Sequence, residues 1–553
     1  LEGTLEIVKN EFNGKMSNYG GIGIDLNGTN TTANIHNNLI KGFREDDWDT
    51  LKYQSIGIRI SGNAKANIFN NQITHNLDIE IPHLHEQFIG GEWAKAANPN
   101  IVPVISPATE EVLTETAMPT VMDADKAASM AHYAFYHGPW PRMAIDERAI
   151  AVEKICDAIE KKMDVLNRAW SFESGATISH GDILNNQVGK PVWRQMIEDA
   201  KNINWRENRS DAILMREPIG TVLSIMTFNG PIVLMGMKIV PALLAGCTVI
   251  AKHAPESPLT SRLLAECVAE ANLPEGVLSF IPGDVEITKH LVSHDCVDMV
   301  TLTGGTEHGV DVVKRTADRL ARTTLELGGK SPAIVAEDAD FEKVMETLVP
   351  GSCSFMGQIC VTLSRLILPE TRYDEMIEAI ASRYKTIELG DPLLPDTEQG
   401  PLSVKRGRDR SIAYIESAKK DGAKVVCGGE VPSGYDKGWW FSPTLIADVN
   451  NQMKIAREEI FGPVAVAIPY KDIEDAVNIA NDSPFGLAAS VYTQDDDLGM
   501  DIASRMQSGT VAINMAGISF FQPFGGYKKS GWGKECGIEG ILEFTQLKQV
   551  VKA

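Results

Sequence analysis

Ile219-Gly-Thr-Val-Leu-Ser-Ile-Met226 is a short apolar run with the composition of a buried β-strand, and a helical pattern follows it. Three more strand-like runs come after it, each separated from the next by a helical pattern: Thr248–Lys252, residues 277–281 and residues 297–302. Strands that alternate with helices form parallel sheets that are covered on both faces. The stretch therefore predicts an α/β fold built around a parallel sheet.

The chain is long and acidic. Its 553 residues are 43% hydrophobic and 23% charged, so it can bury a sizeable core and form about three or four domains. The formal net charge is -22. Because nucleic acids and anionic membranes bind cationic surfaces, we expect no nucleic-acid partner and no membrane partner.

The eight cysteines are scattered, without a Cys-x-x-Cys pair or a close cluster with histidine. In a chain of this length the pattern favours reduced thiols over disulfides or a metal site. No segment at the start has the pattern of a secretory leader. We expect a cytoplasmic protein without a bound metal.

One apolar run, residues 232–251, has the length of a membrane span. It contains Lys238, Pro241 and Gly246, and it ends in the strand-like Thr248-Val-Ile-Ala251. A buried helix followed by a strand is therefore the preferred interpretation.

The first part of the chain carries repeats. Ile22-Gly-Ile-Asp-Leu-Asn-Gly28 recurs as Ile56-Gly-Ile-Arg-Ile-Ser-Gly62, and Ala33-Asn-Ile-His-Asn-Asn-Leu-Ile40 recurs as Ala66-Asn-Ile-Phe-Asn-Asn-Gln-Ile73. Short strands bounded by Asn and Gly at a near-fixed spacing are typical of a solenoid. Residues 1–80 resemble rungs of a right-handed parallel β-helix, and we expect a short β-helix-like appendage there. It is either inert or a carbohydrate-binding or docking module.

Two neighbouring stretches carry candidate chemistry. Gly351-Ser-Cys-Ser-Phe-Met-Gly-Gln-Ile-Cys360 delivers a thiol just after a Gly-Gln turn, and Leu325-Glu-Leu-Gly-Gly-Lys330 places a carboxylate, Glu326, at the end of an apolar run. A thiolate and a carboxylate on adjoining elements suffice for covalent catalysis followed by hydrolysis. The other thiol of the first stretch, Cys353, fits a small buried hydrophobic residue.

A further turn, Thr301-Leu-Thr-Gly-Gly-Thr-Glu-His-Gly309, follows a strand and opens a helix. Small residues at such a place let backbone N–H groups approach a phosphate at the positive end of the helix. A plain tight turn has the same pattern, so the turn alone leaves both interpretations open.

Residues 84–553 resemble the aldehyde dehydrogenase superfamily. The resemblance rests on seven motifs that stand in the order of the family: Thr227-Phe-Asn-Gly-Pro231, Lys252 with Pro258-Leu-Thr260, Leu302-Thr-Gly-Gly-Thr306, Leu325-Glu-Leu-Gly-Gly-Lys-Ser-Pro332, Gly357-Gln-Ile-Cys360, Glu458-Glu-Ile-Phe-Gly-Pro-Val464 and Pro523-Phe-Gly-Gly-Tyr-Lys-Lys-Ser-Gly531.

The resemblance implies a Rossmann-like NAD(P)-binding domain, an α/β catalytic domain and a β oligomerisation arm. We expect the NAD(P)-binding domain over residues 81–325, with residues 206–218 in the arm. The catalytic domain is expected over residues 326–510, and residues 511–553 form a C-terminal return and the oligomerisation strand.

The resemblance also implies a reaction, the oxidation of an aldehyde to a carboxylic acid with NAD or NADP as hydride acceptor. Cys360 is the expected nucleophile, and Asn229 with the backbone N–H of Cys360 is the expected oxyanion hole. Glu326 is the expected general base on the water that hydrolyses the thioester.

Cofactor contacts follow from the same motifs. Lys252 is similar to the lysine that contacts the adenosine ribose in the family, and Glu459 to the acid that contacts the nicotinamide ribose. Phe461 is expected to wall the nicotinamide pocket. Further contacts are expected from Thr227, Phe228, Gly304, Gly305, Thr306, Leu327 and Gly328.

Three positions depart from the family pattern. Pro255 stands where an acid is frequent, which removes a repulsion against a 2′-phosphate, so NAD is the first expectation and NADP the alternative. Gly305 replaces a frequent Ser in the phosphate turn, at the loss of one hydroxyl contact. Phe355 stands where Asn is usual, five residues before Cys360, and the sequence gives no account of its effect.

Five apolar positions are expected to line the substrate tunnel: Val233, Met237, Ile359, Ile518 and Phe524. No Arg or Lys is placed among them to hold a second carboxylate or a phosphate. The pattern favours a neutral, hydrophobic aldehyde of aromatic, terpenoid or medium-chain aliphatic type. The alternative is that these five are ordinary core residues.

Segments Ala212–Pro218 and residues 541–551 match the family's oligomerisation arm, which implies a homodimer or a homotetramer. Two other functions stay open. An acyl-CoA-forming dehydrogenase usually lacks the general base that Glu326 supplies. A non-catalytic or carbohydrate-binding fusion with a degenerate dehydrogenase domain is disfavoured by the joint presence of Cys360, Glu326 and Asn229.

Overall fold

The computed structural model describes residues 77–96 and 98–551 and, before them, the backbone of seven short strands. These strands are β1 (Gly3–Val8), β2 (Glu11–Asn13), β3 (Ile24–Gly28), β4 (Thr31–His36), β5 (Leu39–Lys41), β6 (Ile58–Gly62) and β7 (Lys65–Phe69). They pair in parallel, β1 with β4, β4 with β7, β2 with β5 and β3 with β6. The β-helix interpretation of residues 1–80 depends mainly on residues outside the described ones and stays a prediction.

The next part of the chain forms two hairpins and a helical layer. Its elements are β8 (Glu86–Ile89), β9 (Glu92–Lys95), β10 (Asn100–Ile105), β11 (Val112–Met118), α1 (Val121–His137), α2 (Ile145–Lys161), α3 (Met163–Ser174), α4 (Ile178–Gly181), a π-helical segment (Asp182–Gly189) and α5 (Lys190–Asn202). Strands β8 and β9 pair antiparallel as a hairpin. Gly90 and Gly91 make its turn with φ of 64° and 106°, a region that glycine adopts without strain.

The predicted strand and helix alternation follows. Its elements are β12 (Arg206–Asn208), β13 (Ala212–Pro218), β14 (Thr221–Ile225), α6 (Pro231–Ala245), β15 (Thr248–Lys252), α7 (Pro258–Ala271), β16 (Leu278–Phe280), α8 (Val285–Val292), β17 (Met299–Thr303), α9 (Thr306–Thr316) and β18 (Arg322–Glu326).

A second alternating unit comes next. Its elements are β19 (Ser331–Val335), α10 (Phe341–Cys353), β20 (Leu363–Pro369), α11 (Tyr373–Lys385), α12 (Lys405–Lys420), β21 (Lys424–Cys427), β22 (Thr444–Ala447), α13 (Lys454–Arg457), β23 (Val464–Tyr470), α14 (Ile473–Asn481), β24 (Phe485–Gly486), β25 (Ala488–Tyr492), α15 (Asp496–Arg505) and β26 (Thr510–Ile513).

The C-terminal segment returns to the first unit through β27 (Tyr527–Lys528), β28 (Gly531–Trp532), α16 (Gly537–Leu542) and β29 (Thr545–Val551). Strand β28 pairs antiparallel with β18, and β29 pairs antiparallel with β13. Residues 541–551, which the sequence assigns to the oligomerisation arm, contain the end of α16 and all of β29. Ile541 is fully buried in α16, which packs against α5 and α6, and the strand begins at Thr545.

Two sheets form the centre of the molecule. The first has eight strands in the order β28-β18-β17-β14-β15-β16-β8-β9, and its five central strands β14 to β18 are parallel. The second has seven strands in the order β21-β22-β23-β20-β19-β25-β26, with only β21 antiparallel. The carboxyl ends of β14, β15, β17 and β18 lie along one edge of the first sheet, where open α/β sheets bind their ligands.

The apolar run at residues 232–251 is confirmed as a buried helix and strand, α6 followed by β15. Pro231 starts the helix, and Gly246 ends it with a left-handed φ of 97°. Within residues 77–96 and 98–551, no helix combines the length and apolarity that a membrane crossing requires.

Candidate active site

The loop that carries Cys360 is rigid. Helix α10 ends at Cys353, and a tight turn then places Phe355 and Met356 in the left-handed region, with φ of 47° and 54°. At Gly357, φ is 65°, and a Cβ there would lie 2.2 Å from the carbonyl oxygen of Gly462. The loop therefore requires glycine at residue 357, which explains the Gly-Gln motif.

Gln358 fastens this loop at both ends. Its side-chain amide donates to the carbonyl of Phe355 at 3.2 Å, and its side-chain oxygen accepts from the backbone N–H of Ser403 at 3.0 Å. Gln358 is buried. Because both functions of the amide are used, the backbone just before Cys360 has one preferred path.

Asn229 contacts the loop that carries Cys360. Its Nδ2 donates to the carbonyl oxygen of Gln358 at 2.9 Å, and its Oδ1 accepts from the hydroxyl of Thr227 at 2.5 Å. The Gln358 carbonyl can only accept, so this contact fixes which end of the amide is the donor. The NH₂ group of Asn229 thus faces the segment that carries Cys360, with one hydrogen not committed to any described residue.

Glu326 is the last residue of β18 and is 4% exposed. Neither carboxylate oxygen has a hydrogen-bond partner among the described residues. Burial raises the pKa of Glu326 well above its ordinary value, the negative charge of Glu535 raises it further, and the charges of Lys238 and Lys534 oppose the shift. A carboxylate with a raised pKa and free oxygens is suited to general base catalysis.

Beneath Glu326 lies an ion pair that the sequence did not predict. Lys238 of α6 is 0% exposed, pairs with Glu535 and donates to the hydroxyl of Thr301 at 3.0 Å. The available signal was a single lysine inside the apolar run at residues 232–251. That lysine was used only to argue against a membrane span.

Replacing Lys238 with methionine is expected to lower the free energy of unfolding by about 3–5 kcal/mol, because the buried carboxylate of Glu535 loses its cation. Chemical denaturation of the parent and the variant measures the difference. Lys405→Met is the control, since Lys405 pairs with Asp409 on the surface of α12 and such pairs contribute about 0–1 kcal/mol. A loss for Lys238→Met no larger than that of the control would contradict the prediction.

The predicted cofactor residues lie at the strand ends of the first sheet. Lys252 ends β15, is 6% exposed and donates no hydrogen bond to any described residue. Burial lowers the pKa of Lys252 to about 8, against the opposing charges of Glu256 and Asp284. The hydroxyl of Thr303 at the end of β17 is also buried without a partner among the described residues.

The phosphate turn is placed as expected. Helix α9 begins at Thr306 after Gly304 and Gly305, and no side chain caps its first turn. Its free N–H groups point where a phosphate binds at a helix N-terminus. With Lys252 and Thr303 unpartnered at neighbouring strand ends, this edge fits a dinucleotide.

Four other predicted cofactor residues, Glu459, Phe461, Phe228 and Leu327, have defined packing or hydrogen-bond contacts. Its Oε1 accepts from the backbone N–H of Gly329 at 3.2 Å, and a Cβ on Gly328 would lie 2.3 Å from its Oε2. Phe461 packs edge-on against Phe228, with ring centroids 6.2 Å apart. Leu327 is buried, and its backbone N–H donates to the carbonyl of Ser530 at 3.0 Å.

Glu256 follows Pro255, the position where the sequence departs from the family pattern. Glu256 pairs with Arg406 of α12, and its negative charge acts on Lys252.

Four of the five predicted tunnel residues belong to or pack against one buried apolar cluster: Val233, Met237 and Phe524 within it, and Ile518 at its edge. Cys360 also packs against this cluster. The fifth, Ile359, packs against a small separate cluster around Trp170 and Phe355. Whether these residues form a tunnel or an ordinary core stays a prediction.

Electrostatic surroundings disfavour ionisation of the Cys360 thiol. Burial raises its pKa from 9.0 to about 12, and the negative charges of Glu459, Glu326 and Glu535 add to the shift. A thiol is nucleophilic only as the thiolate. The groups around Cys360 therefore oppose formation of its nucleophilic form.

Alkylation of Cys360 by iodoacetamide, without coenzyme, is expected to accelerate about tenfold per pH unit from pH 7 to 10, because the thiolate fraction rises by that factor below the pKa. Mass spectrometry of the peptide that contains Cys360 measures the rate. A plateau below pH 9 would contradict the prediction, since it would show an ordinary thiol pKa.

Comparisons with known proteins agree with this geometry. The model of the Aldehyde dehydrogenase family matches residues 93–550. Aldehyde dehydrogenase, cytosolic 1 of Rattus norvegicus is 39% identical over 472 residues, which cover 84% of this chain and 94% of the rat protein. Geranial dehydrogenase of Castellaniella defragrans is 38% identical over 475 residues, which cover 85% of this chain and 99% of that protein.

Solved structures show the same fold. An aldehyde dehydrogenase of Mycobacterium tuberculosis complexed with NAD+ superposes with a TM-score of 0.81 at 39% identity, over 85% of this chain and 98% of that chain. Betaine aldehyde dehydrogenase of Staphylococcus aureus in complex with NAD+ superposes with a TM-score of 0.82 at 32% identity, over 84% of this chain and 94% of that chain.

Fold, site and matches together define an oxidoreductase that uses NAD. The chain belongs to the aldehyde dehydrogenase family.

Proposed function

We propose that this chain oxidises a neutral, hydrophobic aldehyde to its carboxylic acid through a covalent adduct on Cys360. The observation that carries the proposal is the contact of the Asn229 amide with the Cys360 loop, together with the unpartnered carboxylate of Glu326. The charge of Glu326 acts on the Cys360 thiol, which supports a shared site. The three residues supply attack, charge stabilisation and hydrolysis.

In the first step the thiolate of Cys360 attacks the carbonyl carbon, and the π electrons move onto the oxygen. The uncommitted N–H of Asn229 and the backbone N–H of Cys360 stabilise that oxyanion. Such donors act without reorganisation because the Thr227 and Gln358 contacts already hold the amide in place. The thiol proton passes to solvent as the thiolate forms, since Cys360 is partly exposed, and the raised pKa of Cys360 makes this transfer part of the barrier.

Bound NAD supplies the acceptor for the hydride that leaves the adduct. Lys252, Glu459 and the first turn of α9 would hold it, with Phe461 beside the ring. Collapse of the adduct leaves a thioester on Cys360.

In the last step Glu326 removes a proton from water, and the resulting hydroxide attacks the thioester carbon. The C–S bond breaks, which releases the carboxylic acid and returns the Cys360 thiolate. The raised pKa of Glu326 makes it a stronger base than an exposed carboxylate. The ion pair of Lys238 and Glu535 below Glu326 sets the electrostatic surroundings of its carboxylate.

The substrate class rests on the apolar residues proposed for the tunnel. Val233, Met237 and Phe524 are buried, and none of the five offers a charge. A relative at 38% identity, geranial dehydrogenase, is named for a terpenoid aldehyde. Both points support a hydrophobic aldehyde.

The test is formation of reduced nicotinamide from NAD with a panel of aldehydes: octanal, benzaldehyde and geranial against glyceraldehyde and succinic semialdehyde. Higher kcat/KM is expected for the first three, because each buried methylene contributes about 0.8 kcal/mol of binding. Parallel assays with NADP measure coenzyme preference. A preference for the polar or charged aldehydes would overturn the substrate class.

The proposed assembly is a homodimer or a homotetramer through the arm of β12, β13 and β29. Leu547 and Val551 on β29 are 59% and 66% exposed, which supports a covering partner for this edge strand. Domain limits at residues 81–325, 326–510 and 511–553 are part of the proposal. So is a cytoplasmic location, supported by eight free cysteines, all within the described part of the chain.

A further inference from the structure

Phe355, which replaces the usual Asn of the family, lies in an aromatic stack. Its ring is 5.3 Å from that of Trp170 at an angle of 63°, and 5.2 Å from that of His180 at 22°. Trp170 and His180 are themselves 5.8 Å apart. Phe355 and Trp170 are buried, and the Nε2 atom of His180 is buried without a partner among the described residues. The stack is a compact apolar block on the nucleophile loop.

The aromatic block also connects the loop of Asn229 to the loop of Cys360. The indole N–H of Trp170 donates to the carbonyl of Phe228 at 2.9 Å, and Phe228 precedes Asn229. Asn229 donates to the carbonyl of Gln358, and Gln358 donates back to the carbonyl of Phe355. The loop of Asn229 and the loop of Cys360 are thus joined twice, once by the amides and once by the aromatic rings.

Phe355 has an unfavourable backbone for its residue type. A bulky side chain in the left-handed region is uncommon, and here two such residues, Phe355 and Met356, are adjacent. The N–H of Met356 donates to the side-chain oxygen of Gln399 at 3.0 Å. Because Asn tolerates this region better than Phe, the conformation depends on what holds the ring of Phe355.

We propose that Phe355, packed against both Trp170 and His180, is a positioning residue that sets the place of Cys360 relative to Asn229. The inference rests on the proposed roles of Cys360 and Asn229. In other members of the family an Asn at this position tolerates the left-handed backbone. In this chain, packing of the Phe355 ring against Trp170 stabilises that conformation instead. His180 stays neutral in this block, because burial lowers its pKa to about 4.

Phe355→Leu keeps an apolar side chain and removes the ring, and Trp170→Phe keeps a ring and removes the N–H that reaches Phe228. Each is expected to lower kcat about tenfold or more while the KM for NAD stays within about twofold, since misplacement of a reacting group acts on the chemical step. The alkylation profile of Cys360 is expected to move to lower pH, because a displaced thiol gains contact with water.

Phe355→Asn removes the aromatic ring but is compatible with the left-handed backbone, because Asn adopts that region readily. The variant therefore tests the ring contacts apart from the backbone conformation. It is expected to lose as much kcat as Phe355→Leu. Phe441→Leu is the matched control, since Phe441 is fully buried in a different cluster of the catalytic domain. Its melting temperature is expected to fall with little change in kcat.

Thermal melts show which variants are folded. If Phe355→Leu fails to fold, Trp170→Phe still tests whether the aromatic contacts position Cys360. Folded variants with the parent kcat and the parent alkylation profile would overturn the inference, as would full activity of Phe355→Asn. Cys360→Ala, measured alongside, distinguishes the two failures: if it stays active, the proposed function fails. If it is inactive while the stack variants match the parent, only the positioning inference fails.

Discussion

Cys360→Ala is expected to lower kcat by about 10⁴–10⁶-fold, because the chain then has no nucleophile to form the adduct. Steady-state formation of reduced nicotinamide with the best aldehyde of the panel measures the loss. Binding of NAD, followed by quenching of tryptophan fluorescence, is expected to stay within about twofold, since coenzyme binding does not need the adduct. This second readout separates loss of chemistry from loss of fold.

The matched control for this variant is Cys353→Ala. Cys353 lies seven positions before Cys360 at the end of α10, is 1% exposed, and its thiol donates to the carbonyl of Val349 at 3.1 Å. Burial raises its pKa to about 12, as for Cys360, so thiol acidity does not distinguish them. We expect Cys353→Ala to keep kcat. Retention of more than about one hundredth of activity in Cys360→Ala would show another nucleophile.

Glu326→Gln is expected to slow turnover by about 10²–10⁴-fold while the first turnover still occurs. The amide keeps the shape of the side chain and cannot take a proton from water. Rapid mixing is expected to show a burst of reduced coenzyme close to one per active site, followed by a slow steady state. A uniform loss of burst and steady state would contradict hydrolysis as the step that Glu326 serves.

The direction in which kcat changes with pH follows from the role proposed for Glu326. A base acts when deprotonated, and the pKa of Glu326 is raised by burial and by Glu535. The kcat of the parent should therefore fall as pH drops through that raised pKa, and the Gln variant should lose this dependence. Glu539→Gln, an exposed carboxylate in the first turn of α16, is the control and should keep the parent profile.

The raised pKa of Glu326 also has a consequence for stability. A carboxyl group whose pKa is raised in the folded state stabilises that state fully below the unfolded pKa of 4.5. This stabilisation is lost as the pH rises from 4.5 through the raised pKa. The cation of Lys238 limits this loss. The site therefore holds a carboxylate whose ionisation is unfavourable for folding and useful for catalysis.

Local patterns accounted for the elements that carry the site. Thr248–Lys252 was predicted and observed with the same limits, because a β-branched run between a helix end and a turn has one low-energy conformation. The meeting of Asn229 with the Cys360 loop was also predicted, through the family motifs, and the 2.9 Å contact with Gln358 confirms that they adjoin. The start of β29 at Thr545 follows from the burial of Ile541 in α16, which residue type alone does not show.

Other features depend on residues that are far apart in the chain. Lys238 and Glu535 are separated by 297 positions, and Glu256 and Arg406 by 150. No local pattern pairs them. The same holds for Phe355, since no local pattern predicts that its ring packs against Trp170 and His180.

The sequence by itself determined the α/β architecture and the membership in the family, and it predicted the thiol, the amide and the carboxylate of the proposed site. These depend on residue type, spacing and short-range periodicity, which are properties of the chain. Only the tertiary structure decided which groups shift the pKa values of Cys360 and Glu326, what charge lies beneath Glu326 and what holds Phe355. Those properties are set by desolvation and by Coulomb interactions within a few ångströms, and the groups responsible come together only when distant segments pack.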